Sequence, residues 1–181
     1  IADAKAMFDQ AKSSGAKGDG FDQIEKQIGL ATSKNPSAPT SFKEELNALI
    51  KLYNQNMLQQ VFKEAQILTK RYTKSLTLWN ILGASAAQIG QLDEAVTAFQ
   101  NAISIKPDNA EAHNNLGNAL KEQDNIEEAL EAFKKSISFK PDFAEAHSNM
   151  GIVLGAHGKL DEAIEAYTKA LSIKPDFAEA H

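Results

Sequence analysis

The sequence predicts an all-α fold, a right-handed solenoid of antiparallel helix pairs, and three observations lead to this prediction. The blocks Ala110–Phe143 and Ala144–Phe177 follow one another directly and are identical at 17 of 34 positions. Pro107, Pro141 and Pro175 recur at a strict 34-residue period. Within each block, apolar residues follow helical spacing along two successive stretches. Because one helical hairpin cannot bury both faces of its helices, a period of this length indicates units that stack on one another.

Each repeat, numbered 1 to 34 from Leu76, Ala110 or Ala144, contains two amphipathic helices. Positions 4, 7, 8 and 11 form one face of the first helix, and positions 20, 24, 27 and 28 form one face of the second. The small residues at positions 8 and 20 allow the helices to approach, and the aromatic residue at position 24 fills the space beside them. The proline at position 32 ends the second helix. Asp108 and Asp142 each precede a glutamate by three residues, which predicts a capping box.

These positions carry the residue pattern of a known repeat. They hold Trp79, His113 and His147 at position 4; Leu82-Gly83, Leu116-Gly117 and Met150-Gly151 at positions 7 and 8; Ala86, Leu120 and Leu154 at position 11; Ala95, Ala129 and Ala163 at position 20; Phe99, Phe133 and Tyr167 at position 24; and Ala102, Ser136 and Ala170 at position 27. In this pattern the chain resembles the tetratricopeptide repeat family over three consecutive repeats. The resemblance implies a concave groove that binds peptides.

The chain divides at the repeat boundaries. Residues 1–41 read as a degenerate helix pair with a linker, residues 42–75 as a divergent repeat, residues 76–109, 110–143 and 144–177 as regular repeats, and residues 178–181 as the truncated start of another. In the divergent repeat, Leu49 and Thr73 replace the expected glycine and proline. Because the chain begins at Ile1 and ends in the repeat-opening residues Ala178-Glu179-Ala180-His181, we interpret it as part of a longer protein.

Composition excludes several classes of function. The net charge of -5 disfavours binding to nucleic acid or to an anionic membrane surface. There is no cysteine, so the chain has neither disulfides nor thiol chemistry. No apolar run is long enough to insert into a bilayer and no signal peptide is visible, so we expect a cytoplasmic protein.

The recurring histidines suggest a metal-binding site as one hypothesis. His113, His147 and His181 recur every 34 residues. Equivalent residues on stacked helix pairs should lie about 10 Å or more apart, whereas a metal needs ligands about 2 Å from its centre. We therefore predict that these rings fill the bulky position of Trp79 and that no metal is bound. The cluster of Gly15, Gly18 and Gly20 around Lys17 lacks phosphate-loop spacing, which favours a flexible turn.

No arrangement of side chains suggests catalysis. The acidic pairs Asp93-Glu94, Glu127-Glu128 and Asp161-Glu162 fall in the first turn of a helix, where the helix dipole favours negative charge. No nucleophile has a recognisable base partner, so we expect neither an enzyme nor a cofactor. Glu131 with Lys135, and Glu165 with Lys169, are predicted ion pairs on the solvated face of the second helices.

The family resemblance places the groove at positions 2, 5, 9 and 12 of the first helix, bordered by position 6. The implied groove residues are Thr77, Asn80, Ala84 and Ala87; Glu111, Asn114, Asn118 and Lys121; and Glu145, Ser148, Ile152 and Gly155, with Asn115 and Asn149 at the border. An asparagine amide both donates and accepts, so it can hold a peptide backbone whatever the side chains are. Exposed helix positions also tolerate asparagine without any function, and that alternative stays open.

The favoured function is a non-catalytic scaffold that binds a peptide or helix of a protein partner in this groove. The clamp that some family members use for a chaperone carboxyl terminus needs Lys and Arg on adjacent repeats, and only Lys43 and Lys121 come near, which disfavours that ligand. The repeats are also similar to those attached to O-GlcNAc transferases and to bacterial glycosyltransferase or sulfotransferase fusions. A second hypothesis is therefore the substrate-recruiting arm of such an enzyme. A third is self-assembly into a homo-oligomer, because the end at His181 exposes an apolar face through which repeat ends could stack.

Overall fold

A computed structural model describes residues 41–175, and every regular element in this range is an α-helix. The helices are α1 (Phe42–Asn54), α2 (Leu58–Arg71), α3 (Leu76–Gln88), α4 (Leu92–Ile105), α5 (Ala110–Glu122), α6 (Ile126–Phe139), α7 (Ala144–Ala156) and α8 (Leu160–Ile173). The predicted helix pair within residues 1–41, the glycine cluster and the repeat start at residues 178–181 lie outside the described residues, apart from Ser41.

The chain divides into two compact units, residues 1–44 and 45–181. In the first unit the described residues include a capping box. The Ser41 backbone N–H donates to Glu44 Oε2 at 3.0 Å, and the Glu44 N–H donates to Ser41 Oγ at 3.4 Å. This pair satisfies backbone groups at the start of α1 that have no partner within the helix.

In the second unit the helices pack as consecutive pairs. Helix α3 packs on α4, α5 on α6 and α7 on α8, and each pair stacks on the next through α4 with α5 and α6 with α7. Leu49 of α1 lies in one buried cluster with Val61 and Ala65 of α2. The first helices also touch one another, α3 with α5 and α5 with α7. The predicted all-α solenoid of helix pairs is confirmed.

The glycine at position 8 lies directly against the aromatic ring at position 24. A Cβ atom at Gly117 would be 2.6 Å from Phe133 Cε1, and Phe133 is fully buried. Gly83 has the same relation to Phe99, also at 2.6 Å. The close approach is possible only because glycine has no side chain, so the predicted roles of both positions are confirmed.

The turn inside each described repeat has a residue with a left-handed backbone at position 15. The φ angles are 58° at Asn56, 78° at Gly90, 64° at Asp124 and 74° at Gly158. Glycine takes this conformation at no steric cost, and Asn and Asp are the side chains that tolerate it best. These residues end the first helix and send the chain back into the second.

The predicted capping boxes at Asp108 and Asp142 are wrong. Helix α5 is capped by Asn109, whose side chain accepts from the Ala112 N–H at 3.0 Å, and the cap position of α7 is Phe143, without a side-chain cap. Asp108 lies inside a turn closed by the hydrogen bond from the Asn109 N–H to the Lys106 carbonyl, 3.1 Å long. It therefore precedes the cap position by one residue.

Candidate functional site

The predicted groove residues lie side by side on three neighbouring helices. We call this surface of α3, α5 and α7 the A-helix face. Its exposed members are Thr77, Glu111, Glu145 and Ile152; its partly buried members are Asn80, Ala84, Ala87, Asn115, Asn118, Lys121, Asn149 and Gly155; and Asn114 and Ser148 are buried. Because α5 touches both α3 and α7, these residues form rows that cross the helices.

One hydrogen bond joins α5 and α7 across the A-helix face. Asn149 Nδ2 donates to Asn114 Oδ1 at 3.0 Å, and Asn114 is only 7% exposed. In the repeat, these residues occupy position 6 of one unit and position 5 of the unit before it. The amide pair therefore belongs to the stacking of repeats as well as to the surface.

The equivalent place between α3 and α5 is arranged differently. Asn80 corresponds to Asn114 and Asn115 to Asn149, yet Asn80 Oδ1 is buried and no residue between 41 and 175 donates a hydrogen bond to it. Within the described residues the side chains of Asn115 and Asn118 also make no hydrogen bond. The two steps between first helices thus differ in polar pairing although their residues are nearly the same.

Charges lie at the two ends of the A-helix face. Glu111 and Glu145 are exposed in the first turns of α5 and α7. At the other end, Lys121 Nζ lies 3.1 Å from Glu122 Oε1 of the same helix. The one basic side chain that the sequence places in the groove of a regular repeat is therefore paired locally.

The position-4 rings are structural. His113 Nε2 lies 2.9 Å from the Pro107 carbonyl oxygen, and His147 Nε2 lies 3.0 Å from the Pro141 carbonyl oxygen. Trp79 Nε1 donates to the equivalent carbonyl of Thr73 at 2.8 Å. Each ring thus bonds the end of the preceding repeat, which confirms that the histidines fill the tryptophan position.

Between residues 41 and 175, no group of three or more His, Asp or Glu side chains could hold a metal ion. In the same range, each helix is too short or too polar to cross a bilayer.

The outer helices form one of the two predicted ion pairs. Lys135 Nζ lies 2.9 Å from Glu131 Oε1, and the hydrogen bond and charge of Lys135 lower the pKa of Glu131. Glu165 and Lys169 occupy the equivalent positions of α8 but form no ion pair, so that prediction is wrong. An exposed pair gains little from Coulomb attraction and orders two long side chains, which explains why equivalent pairs differ.

Helix α8 exposes an apolar stripe. Leu160 is 64% exposed and Ile164 is 63% exposed. The residue equivalent to Ile164 in α6 is Leu130, which is only 8% exposed because α7 covers it. No described residue covers α8 in this way.

Sequence reasoning missed a series of clefts between the outer helices. They are lined by the position-4 rings Trp79, His113 and His147 and by Glu94, Glu128 and Glu162 at position 19. The 34-residue recurrence of these glutamates was the signal that could have indicated them. The clefts recur because stacked second helices are held apart by the first helix between them.

Comparison with known proteins agrees with this architecture. Family models described as TPR repeat match residues 85–124 and 117–158, and one described as tetratricopeptide repeat matches residues 144–177. Together they span residues 85–177, just over half of the 181-residue chain. No curated protein sequence matches the chain significantly.

Solved structures of MamA have a similar fold. A crystal structure of MamA is 24% identical with a TM-score of 0.71, and the alignment covers 95% of this chain and 96% of that one. A second MamA structure is 23% identical with a TM-score of 0.69, covering 99% and 96%. The structure of MamA from residue 41 to its end, from Desulfovibrio magneticus RS-1, is 17% identical with a TM-score of 0.71, covering 96% and 94%. At these identities the likeness is one of fold.

Proposed function

The chain belongs to the tetratricopeptide repeat family and is a protein-interaction scaffold, and from this premise we propose that it binds an extended peptide or a helix of a partner on its A-helix face. The observation that carries the proposal is the row of amide side chains brought together across α3, α5 and α7. Within the described residues, the side chains of Asn115 and Asn118 form no hydrogen bond, and both residues are partly exposed. The hydrogen-bonding capacity of these two amides is therefore available to a ligand.

The geometry favours a long ligand over a compact one. Packed helix axes lie about 8–10 Å apart, so a ligand that touches α3, α5 and α7 must extend across three helices. The row combines amides, which suit backbone groups, with Ile152, which is 40% exposed and suits an apolar side chain. An extended peptide offers backbone groups and side chains at regular intervals and matches both.

The test is site-specific photo-crosslinking. The photoreactive amino acid p-benzoyl-phenylalanine replaces Ile152 on the A-helix face or, as a matched control, Ile67 of outer helix α2, which is 54% exposed. We expect discrete adducts with partner proteins from lysate at position 152 and none of the same mass at position 67. Equal adducts at both positions, or none at position 152, would contradict the proposal.

A second candidate function is self-assembly, which the exposed stripe on α8 favours. Leu160 and Ile164, which no residue between 41 and 175 covers, would gain from contact with another copy. Sedimentation velocity over a concentration series tests this: Ile164→Glu should abolish association, whereas Ile67→Glu should not, since Ile67 lies on α2 and is 54% exposed against 63% for Ile164. A wild-type chain that stays monomeric at all concentrations would exclude this candidate.

The recruiting-arm hypothesis uses the A-helix face in the same way as the scaffold. It adds the expectation that captured partners are glycosylated or sulfated proteins. Mass spectrometry of the crosslinked adducts at position 152 distinguishes the two, because unmodified partners would contradict the recruiting arm and leave the scaffold in place.

A further inference from the structure

The cleft between outer helices α2 and α4 differs from the other clefts in the ring at repeat position 4. This ring is the indole of Trp79, the only tryptophan of the chain, whereas the next two clefts have His113 and His147 there. We call it the Trp79 cleft. Its volume is about 370 Å³, which leaves room for a long side chain. The residues that line it include Lys70, Trp79, Leu82, Asp93, Glu94 and Ala98.

The Trp79 ring is held in place by the fold. Its Nε1 donates to the Thr73 carbonyl oxygen at 2.8 Å, and the residue packs against the buried cluster that contains Leu82. His113 and His147 bond the equivalent carbonyl, so a smaller ring with a nitrogen is enough for the stacking of repeats. Trp79 is partly exposed and lines the cleft. Among the aromatic side chains, an indole attracts a cation over its face most strongly.

The walls of the Trp79 cleft have an excess of negative charge. Asp93 and Glu94 are exposed in the first turn of α4, and Lys70 of α2 is the only basic residue among the described ones that line the cleft. No residue between 41 and 175 forms an ion pair with Glu94 or Lys70. Asp93 Oδ1 accepts a hydrogen bond from Gln123 Nε2 at 2.6 Å. The Glu94 carboxylate is therefore the acceptor that this part of the chain leaves to a ligand.

The charge alone specifies no ligand, because acidic pairs recur in the first turns of α6 and α8, where the helix dipole favours them. The indole and the buried apolar residues Leu82 and Ala98 add the selectivity. From this combination we infer that the Trp79 cleft binds an arginine side chain of a partner protein. The planar guanidinium group stacks on the indole and donates to the Glu94 carboxylate, and the methylene groups lie against the apolar residues. This inference goes beyond the proposed function, because it places a second interaction surface on the outer helices.

The test is an NMR titration of the whole 181-residue chain at low ionic strength, since salt screens exposed ion pairs. The probe is a capped pentapeptide with one arginine between two pairs of glycines. Matched probes contain lysine, whose ammonium group has no flat face, or citrulline, an uncharged analogue of arginine. The single indole N–H signal reports on the cleft. We expect the arginine peptide to shift it saturably with a Kd of about 1–10 mM, and the lysine and citrulline peptides to bind about threefold and tenfold more weakly.

Three variants test the residues of the cleft. Glu94→Gln should weaken arginine binding about two- to fivefold, whereas Glu128→Gln, at the same position of the next repeat, should leave it unchanged. Trp79→His should also weaken binding about two- to fivefold, measured from the backbone amide of Thr97. Its helical circular dichroism should match the wild type, because histidine fills this position in the next two repeats.

Two results would overturn the inference. One is an arginine peptide that causes no saturable shift or binds no better than the lysine or citrulline peptide. The other is an equal loss of binding in Glu94→Gln and Glu128→Gln, which would show attraction by the overall negative charge instead of the cleft. The citrulline comparison and Glu94→Gln leave the core unchanged, so they decide the question even if Trp79→His loses helicity.

Discussion

Gly117→Ala is the substitution that tests the stacking geometry most directly. The new Cβ would lie 2.6 Å from Phe133 Cε1, 2.8 Å from Cδ1 and 2.9 Å from Cζ. Carbon atoms in contact prefer about 3.5–4.0 Å, so the ring must retreat by about 1 Å. Phe133 has no room to do so, because it is fully buried in a cluster with Leu120 and Val153.

Two terms of opposite sign decide the magnitude. Alanine is a better helix former than glycine by about 1 kcal/mol in a helix interior. Overpacking a close-packed core costs about 1–3 kcal/mol, and three ring atoms closer than normal contact favour the upper half of that range. We therefore expect Gly117→Ala to lower the free energy of unfolding by about 1–2 kcal/mol.

Two other glycines provide matched controls. At Gly155 the nearest atom to a new Cβ is Ala163 Cβ at 3.7 Å, an ordinary contact, so Gly155→Ala keeps the helix-propensity gain and should stabilise by about 0.5–1 kcal/mol. At Gly151 the Tyr167 ring lies 2.9 Å away and is 37% exposed, so the ring can move outwards. The expected order of stability is Gly155→Ala, then Gly151→Ala, then Gly117→Ala.

Urea unfolding followed by helical circular dichroism measures these changes. For Gly117→Ala the midpoint should fall by about 0.5–1 M. Phe133→Leu in the same chain should recover part of the loss, because a smaller side chain leaves space for the new methyl group. If Gly117→Ala were as stable as Gly155→Ala, the ring contact would not limit the approach of the helices and the packing argument would fail.

Three further predictions concern a turn, an amide pair and an ion pair. Asp124→Gly should raise the free energy of unfolding by about 0.5–1 kcal/mol in urea, since glycine removes the cost of a φ of 64°; no gain would show that the aspartate is unstrained. Asn114→Ala should lose about 0.5–1.5 kcal/mol in the same assay because it removes the hydrogen bond from the partly buried Asn149 amide, and a loss within error would show that the bond contributes nothing. The NMR titration midpoint of Glu131 should lie below that of an ordinary glutamate and rise in Lys135→Ala, and an unchanged midpoint in the variant would rule out the ion pair. The small stabilising effect of the pair is present above the pKa of Glu131 in the unfolded chain and is lost as the pH falls through its pKa in the folded chain.

The repeat period predicted the fold because the same contacts recur in every unit. Spacing alone placed Phe133 and Ala129 on a buried face, and both are fully buried. It did not identify Ala112, Ala119 and Ala132 as core residues, although each is at most 4% exposed. Alanine is favoured in any helix and is only weakly hydrophobic, so its recurrence at a fixed spacing does not distinguish close packing from helix propensity.

The candidate site was less predictable because its chemistry depends on pairs of residues in different repeats. Helical spacing predicts that Asn114 and Ser148 lie on the same side of their helices as Ile152, but both are buried where Ile152 is exposed. Spacing could not show that the Asn114 amide is already paired with Asn149, 35 residues away. That pairing depends on the distance between stacked helices and on side-chain rotamers, and neither can be derived from the sequence of one repeat.

Ligand specificity on the A-helix face depends on the residues that differ between equivalent positions of the repeats. At position 9 the chain places Ala84, then Asn118, then Ile152, on three helices with the same backbone geometry. The position is partly buried at Ala84 and Asn118 and exposed at Ile152, and the stack accepts a small, a polar and an apolar side chain there. A ligand that distinguishes these three side chains must contact all three helices, and it must lie across them in one orientation. If a partner binds the A-helix face as we propose, the differences between repeats set the direction in which it runs.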